Sequence, residues 1–138
     1  MSTDKDEQVE EALESLIVSV IAVNNCSLAE AYGLREALGE KGLTKISVFK
    51  DEIPDAFSIK TILIESGYRR GHYVALLLGE RIKRILETAK KRGHKEYLIL
   101  LGTDKNRAAN ELKQLYGVGP MVIKNYLVLQ FGADPDIR

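Results

Sequence analysis

The segment from Leu115 to Gly132, LYGVGPMVIKNYLVLQFG, contains the residues whose types and spacing best suit a binding site. Gly117 and Gly119 lack a Cβ, so each is able to adopt a positive φ and to expose its backbone N–H group. Pro120 suits the first turn of a helix because its φ is fixed near the helical value. Unpaired N–H groups and the positive end of the helix dipole bind anions. The segment therefore predicts a phosphate site at the start of a helix.

A helical pattern lies on each side of this Gly-Val-Gly turn, an arrangement typical of a helix-hairpin-helix. We expect the motif to cover about residues 104–131, with Val118 packed inward and the glycine amides facing out. A dinucleotide-binding loop is disfavoured, because no third glycine follows at the required spacing and no strand clearly precedes the turn. The alternative is an αα-hairpin in which the glycines only save space.

Helical periodicity extends over almost the whole chain and predicts an all-α domain of six or seven helices. One helix is expected to end at residues 24–25, and a second is expected to run without a break from Ser27 to Gly42. Pro54 is expected to open a helix, and Thr103 is expected to cap the first helix of the hairpin. The segments TKISVFKDE and EYLILL are too short for their periodicity to distinguish a helix from a strand.

Length and composition set the broad class of the protein. A chain of 138 residues with 45% hydrophobic content forms one domain, residues 1–138, with a substantial core. The single cysteine, Cys26, excludes an internal disulfide and a four-cysteine cluster, so no cofactor is expected. The acidic start MSTDKDEQVEE is unlike a signal peptide, and no apolar run approaches the length of a membrane span. We expect a cytoplasmic protein.

The charge of the chain is zero overall but is divided unevenly. Residues 1–66 carry 6 Lys and Arg against 13 Asp and Glu, a net charge of −7, whereas residues 67–138 carry 14 against 7, a net charge of +7. A basic half that faces a polyanion is typical of a nucleic-acid-binding protein. The alternative is that the basic and acidic helices neutralise each other within one fold.

The basic residues of the segment from 71 to 92 have a simpler interpretation. Glutamates and basic residues stand four apart there, which stabilises an exposed helical face: Glu80 with Arg84, Lys83 with Glu87, and Glu87 with Lys91. We therefore expect the basic residues of this face to be solvated and mostly self-paired. They are Lys83, Arg84, Lys90, Lys91 and Arg92.

Three segments resemble the helix-hairpin-helix DNA glycosylase superfamily, which includes endonuclease III and the adenine, alkyladenine and oxoguanine glycosylases. ELKQLYGVGPMVIKNYLVLQFG resembles the hairpin of that family. LIVSVIAVNNCS resembles its early apolar helix, which ends in a polar loop facing DNA. IESGYRRGHYVALLLGERIKRILE resembles the segment in which a glycine-aromatic turn introduces a helix with a basic residue. The three segments occur in the family's order and cover most of the chain.

The resemblance implies that the partner is duplex DNA, bound through its phosphate backbone beside an extruded nucleotide. It implies that Gly117, Gly119 and the amide of Met121 hold a phosphate, that Val118 is the central residue of the turn, and that Lys124 adds a positive charge.

Residues outside the hairpin also receive roles from the resemblance. Asn24 falls where the family places the side chain that fills the gap left by the flipped base, although a C-terminal helix cap is an alternative role. Arg69, Arg70 and His72 are expected at a helix start that touches the opposite backbone. For His72 and His94 alike, the alternative is a plain surface histidine.

Two departures from the family pattern concern catalysis. The position after Gly-Val-Gly-x is a lysine in the members that cleave the strand through a Schiff base, and here it is Met121, so lyase chemistry is not expected. The family's catalytic aspartate is expected at the residue after Arg138. Asp134 and Asp136 are the remaining candidate catalytic residues, with ordinary loop residues as the alternative.

The sequence thus predicts a DNA-binding domain similar to a base-excision repair glycosylase, and a monofunctional one if it is active. The family's iron-sulfur cluster is not expected, because only one cysteine is present. The alternative function is that of a non-catalytic α-helical interaction domain, in which the Gly-Val-Gly corner is structural and the basic half docks an acidic protein.

Overall fold

A computed structural model of the chain describes residues 2–23 and 25–132. Within these residues the backbone forms eight α-helices, one short 3-10 helix over Ile46–Phe49 and no strand. The α-helices are α1 Ser2–Ile21, α2 Leu28–Tyr32, α3 Arg35–Glu40, α4 Ala56–Glu65, α5 His72–Lys91, α6 His94–Thr103, α7 Lys105–Leu112 and α8 Pro120–Phe131. The predicted all-α class is confirmed.

Helix α1 lies at the centre of the core, because its apolar residues face several neighbouring helices. Val9, Leu13, Leu16 and Ile17 are each no more than 1% exposed. The helix packs against α6 and α8 and also contacts α2, α3 and α5. Burial of such aliphatic side chains is the main source of stability in a domain of this size.

Helices α4 and α5 form a closely packed pair. Gly79 of α5 lies so near α4 that a Cβ at this position would overlap the carbonyl oxygen of Ala56. Ile59 and Leu63 of α4 and Leu78 of α5 are fully buried. The glycine therefore allows a backbone approach that no other residue permits.

Helix α8 is attached to α1 and α6 by polar side chains as well as by apolar packing. The buried Tyr126 hydroxyl donates to the carbonyl oxygen of Leu101 at 2.8 Å. Burial raises the pKa of the Tyr126 phenol, so the group stays a neutral donor. The Oγ of Ser15 donates to Oε1 of Gln130 at 2.9 Å, and Nε2 of Gln130 donates to the carbonyl oxygen of Gly102 at 3.3 Å.

The expectation of one unbroken helix from Ser27 to Gly42 is wrong, because the chain divides there into α2 and α3. At Leu34 the backbone N–H donates to the carbonyl oxygen of Ala31, three residues back, which makes a tight turn. Gly33 precedes this turn, and glycine is a weak helix former because ordering its backbone costs more entropy.

The predicted cap of α7 is displaced by one residue. Thr103 is the last residue of α6, and its Oγ1 donates to the carbonyl oxygen of Ile99 at 2.7 Å. Asp104 caps α7 instead, with Oδ1 accepting from the N–H of Arg107 at 3.1 Å. The threonine hydroxyl is already bonded within its own helix, so the carboxylate satisfies the new helix start.

The two short segments that periodicity left open are both helical. Part of TKISVFKDE forms the 3-10 helix, and EYLILL lies within α6. Pro54 does not open α4, since Asp55 is the N-cap and its Oδ1 accepts from the N–H of Ser58 at 2.7 Å. The proline therefore precedes the cap.

Candidate nucleic-acid interface

Residues 113–119 connect α7 to α8, and the two glycines of this turn differ. Gly117 has a φ of +75°, and a Cβ there would lie 2.8 Å from Cγ of Arg81 on α5. Gly119 has a φ of −102° and a ψ of −176°, and a Cβ there would meet nothing within 4 Å. Gly117 therefore uses the positive φ that glycine allows, whereas Gly119 does not, because a residue that caps a helix N-terminus is extended.

The start of α8 has no side-chain cap, since Gly119 is its N-cap and carries no side chain. The first bond within the helix is donated by the N–H of Ile123 to the carbonyl oxygen of Gly119 at 3.1 Å. The N–H groups of Met121 and Val122 precede that bond and have no partner in the helix. Over residues 2–23 and 25–132, no hydrogen bond involves the N–H of Gly117 or Gly119. This helix start is therefore able to donate to an anion.

Val118 occupies the middle of the turn and is half-buried against the core. Its N–H donates to the carbonyl oxygen of Leu115 at 3.3 Å, so this amide is used within the turn. The inward packing expected of Val118 is present in part.

Three basic residues lie near the turn that leads into α8. Lys113 and Lys124 line the same surface groove as Gly119, and the stem of Arg81 lies against Gly117. None of the three forms an ion pair with another residue in the part of the chain that the structure describes. Sequence reasoning missed Arg81, because its contact with the turn joins residues 36 positions apart and leaves no local signal.

Arg84 also reaches the hairpin from α5. Its guanidinium stacks 4.3 Å from the ring centre of Tyr116, and its Nε donates to Oε1 of Glu80 at 3.1 Å. Lys83 and Glu87 form the second predicted pair, with 3.3 Å between Nζ and Oε2. The prediction of a self-paired face is confirmed for these two pairs. Arg84 is thus engaged in holding the turn beside α5.

Arg70 is engaged within the protein. Its Nε and NH2 atoms donate to the carbonyl oxygen of Asn25 at 3.2 and 2.8 Å, and NH2 lies 2.6 Å from Oε1 of Glu30. The guanidinium therefore holds the loop after α1, where Asn25 has a φ of +72°. Arg69 is exposed beside it, and the start of α5 at Gly71 has no side-chain cap. Contact of either arginine with DNA stays a prediction.

Asn125 connects the hairpin with that same loop. Its side chain is buried in α8, and Nδ2 donates to the carbonyl oxygen of Ala22 at 3.3 Å. The loop after α1 is therefore held by Asn125 on one side and by Arg70 on the other. Asn24, the predicted gap-filling residue, lies outside the described residues.

The loop also contains Cys26, which is 5% exposed. Burial and the nearby Glu30 raise the pKa of its thiol, so the reactive thiolate form is disfavoured. Tyr68 is 4% exposed, and its hydroxyl has no hydrogen-bond partner in the described part of the chain. Burial also raises the pKa of the Tyr68 phenol, so both groups are held in their protonated, less nucleophilic forms.

The side chain of Met121 is 56% exposed in the first turn of α8. A thioether does not form a Schiff base wherever it lies. Lyase chemistry at Met121 is therefore still not expected. The candidate catalytic residues Asp134 and Asp136 lie outside the described residues.

In residues 2–23 and 25–132, no helix combines the length and the apolar character that crossing a membrane requires. Comparison of the chain with protein-family models, with curated proteins and with solved structures found no match.

Proposed function

We propose that this protein binds duplex DNA through its phosphates, with the helix-hairpin-helix of α7 and α8 as the principal contact. The observation that carries the proposal is the uncapped start of α8. Lys113 and Lys124 line a groove together with its N-cap Gly119, and the stem of Arg81 lies against Gly117. None of these three cations is ion-paired within residues 2–23 and 25–132. Amides at a helix start and nearby cations are the groups that bind phosphate without reading sequence.

The start of α5 supplies a second contact in this proposal. It has no side-chain cap, and the exposed Arg69 and His72 lie beside it. His72 and Arg81 are nine residues apart on one helix, which corresponds to about 14 Å at 1.5 Å per residue. Phosphates along one strand of a duplex are about 3.4 Å apart in axial rise, so the two contacts span roughly four nucleotides.

Enzymatic activity in the proposal follows the sequence resemblance. The protein is a glycosylase-like DNA-binding domain. Any base release that it catalyses occurs without cleavage of the strand. A duplex with an abasic site, incubated with the protein and borohydride, is expected to give no trapped covalent complex, because Met121 is in the position of the family's lysine. A trapped complex would contradict this assignment.

Gly119→Asp tests DNA binding independently of folding. The residue already has the extended conformation of an N-cap, and space is open in front of it, so an aspartate is expected to cap α8 and to keep or slightly raise the free energy of unfolding. The same carboxylate would occupy and repel the phosphate position. We expect affinity for a duplex to fall at least tenfold by fluorescence anisotropy, while the melting temperature does not fall.

Gln8→Glu is the matched control, because it adds one negative charge to an exposed position of α1. Its DNA affinity is expected to stay within twofold of wild type. Equal affinities in wild type and Gly119→Asp would refute the proposal.

The packing of Gly117 on Arg81 is compatible with the alternative function. Positive φ and the close arginine stem together explain this glycine without any ligand. A protein-interaction domain with a structural Gly-Val-Gly corner accounts for Gly117 equally well, and it predicts no DNA affinity to lose in Gly119→Asp.

A further inference from the structure

Helix α8 is apolar on more than its buried face. Nine of its twelve residues, PMVIKNYLVLQF, are apolar. Val122 and Tyr126 face the core and are 4% and 0% exposed, whereas Ile123 and Leu127 are only half-buried. A helix that is apolar all round is normally covered on both sides.

The outer face of α8 forms one side of a surface groove of about 560 Å³. We call it the α8 groove and define it by six residues: Lys113, Val118, Pro120, Ile123, Lys124 and Leu127. Its apolar part spans Pro120 to Leu127, which is two turns of helix or about 11 Å. This length matches two apolar side chains of a partner helix, one turn apart.

Two lysines make the lining of the α8 groove positive. Lys113 and Lys124 have no ion-pair partner among the described residues. The hairpin carries two acidic residues, of which Asp104 caps α7 and Glu111 pairs with Arg92 at 2.6 Å. An occupant that fills the apolar part and also neutralises both ammonium groups must carry anionic groups beside its apolar side chains, and on an unmodified peptide these are the carboxylates of Asp and Glu.

We propose that the α8 groove docks an acidic amphipathic peptide segment of a partner protein. Its apolar side chains, three or four residues apart, lie on Val118, Ile123 and Leu127, and its Asp or Glu side chains pair with Lys113 and Lys124. The proposal does not depend on DNA binding. Because Lys113 and Lys124 are also cations of the proposed DNA contact, the peptide and DNA phosphates would compete for both of them.

Other occupants fit the observations less well. A second copy of this chain has its acidic residues concentrated on α1, but the apolar face of α1 is buried in its own core and offers no anchor. A lipid surface is typically recognised by a cluster of four or more basic residues, and this groove has two. DNA supplies phosphates but no aliphatic group for the apolar part.

The test uses the whole chain and a displayed library of random 16-residue peptides. We expect the selected sequences to share two apolar residues three or four apart with Asp or Glu beside them. Synthetic copies should bind at least tenfold more weakly to the double variant Lys113→Glu, Lys124→Glu. The matched control, Lys91→Glu with Lys105→Glu, changes charge equally on exposed lysines outside the groove and should bind within twofold of wild type.

A second selection uses the double variant Lys113→Glu, Lys124→Glu as the target for the same library. The selected peptides should then carry Lys and Arg in place of Asp and Glu, while the spacing of their apolar residues stays the same. Leu127→Asp should weaken binding at least tenfold, with folding checked by circular dichroism. The proposal is overturned if no sequence is enriched, or if both double variants bind the peptides equally. Self-association that Leu127→Asp abolishes, or binding only to phosphatidylglycerol vesicles, would also overturn it.

Discussion

His94 is a residue whose protonation affects the stability of the fold. Its ring stacks on Phe49 with 4.4 Å between centroids, and burial, followed by the charges of Lys95 and Lys90, lowers its pKa. A histidine with a lowered pKa in the folded state binds a proton more readily when unfolded, so protonation favours unfolding.

Protonation of His94 is therefore expected to leave the free energy of unfolding unchanged above the ordinary pKa of about 6.5 and to decrease it as the pH falls from there through the lower folded value. In His94→Phe this part of the pH dependence should disappear, since a phenyl ring stacks on Phe49 without titrating. Urea unfolding between pH 8 and pH 5 measures the effect, with His72→Gln as the control. Parallel curves for wild type and His94→Phe would contradict the assignment.

At the scale of single residues, some features of the candidate site were predictable from the sequence and others were not. Gly119, Pro120 and the uncapped helix start were predictable, because a glycine before a proline favours a helix N-terminus. The stem of Arg81 on Gly117 and the bond from Asn125 to Ala22 were not, because they join residues 36 and 103 positions apart. Such contacts depend on how the helices pack, which periodicity does not specify.

At the scale of secondary-structure elements, the close packing of α4 against α5 predicts that Gly79 is required for stability. Gly79→Ala places a Cβ on the carbonyl oxygen of Ala56, so the two helices must separate. Overpacking of this kind costs about 1–3 kcal/mol, against about 1 kcal/mol that alanine gains in helix propensity. We expect a lower free energy of unfolding.

Gly39→Ala is the matched control within α3. A Cβ there would lie 3.4 Å from Oγ1 of Thr44, an ordinary contact, so this variant should keep or increase the free energy of unfolding. Chemical denaturation of both variants measures the difference. A Gly79→Ala protein as stable as Gly39→Ala would mean that α4 and α5 pack less closely than described.

Most helices were predictable from apolar residues three and four apart, and their ends were less so. The break between α2 and α3 depends on one weak helix former, Gly33, in an otherwise continuous pattern. The starts of α4 and α7 were each predicted too early for the same reason, because more than one neighbouring residue suits a helix start. These residues are Pro54 and Asp55 for α4, and Thr103 and Asp104 for α7. Only the competing hydrogen bonds decide which residue caps.

At the scale of the whole molecule, the division of charge between the two halves predicts the salt dependence of DNA binding. If Arg69, Arg81, Lys113 and Lys124 each neutralise one phosphate, the logarithm of the binding constant should fall with the logarithm of salt concentration with a slope of roughly −3 to −4. A flat salt dependence would contradict a phosphate-binding surface.

Arg81→Met tests one of these contacts. The methionine keeps an aliphatic stem against Gly117 and removes the charge, so the fold should be retained. The slope should become less steep by about one, and affinity should fall for every DNA sequence alike. A duplex titrated at four or five salt concentrations measures both quantities. An unchanged slope would remove Arg81 from the interface.

The bond between Ser15 and Gln130 joins residues 115 positions apart and has a consequence for synthesis of the chain on the ribosome. The central helix α1 emerges before α8, which packs against part of its surface. A nascent chain that still lacks α8 would present that surface to chaperones and proteases. Completion of the native structure must therefore wait until residue 131 has left the ribosomal tunnel.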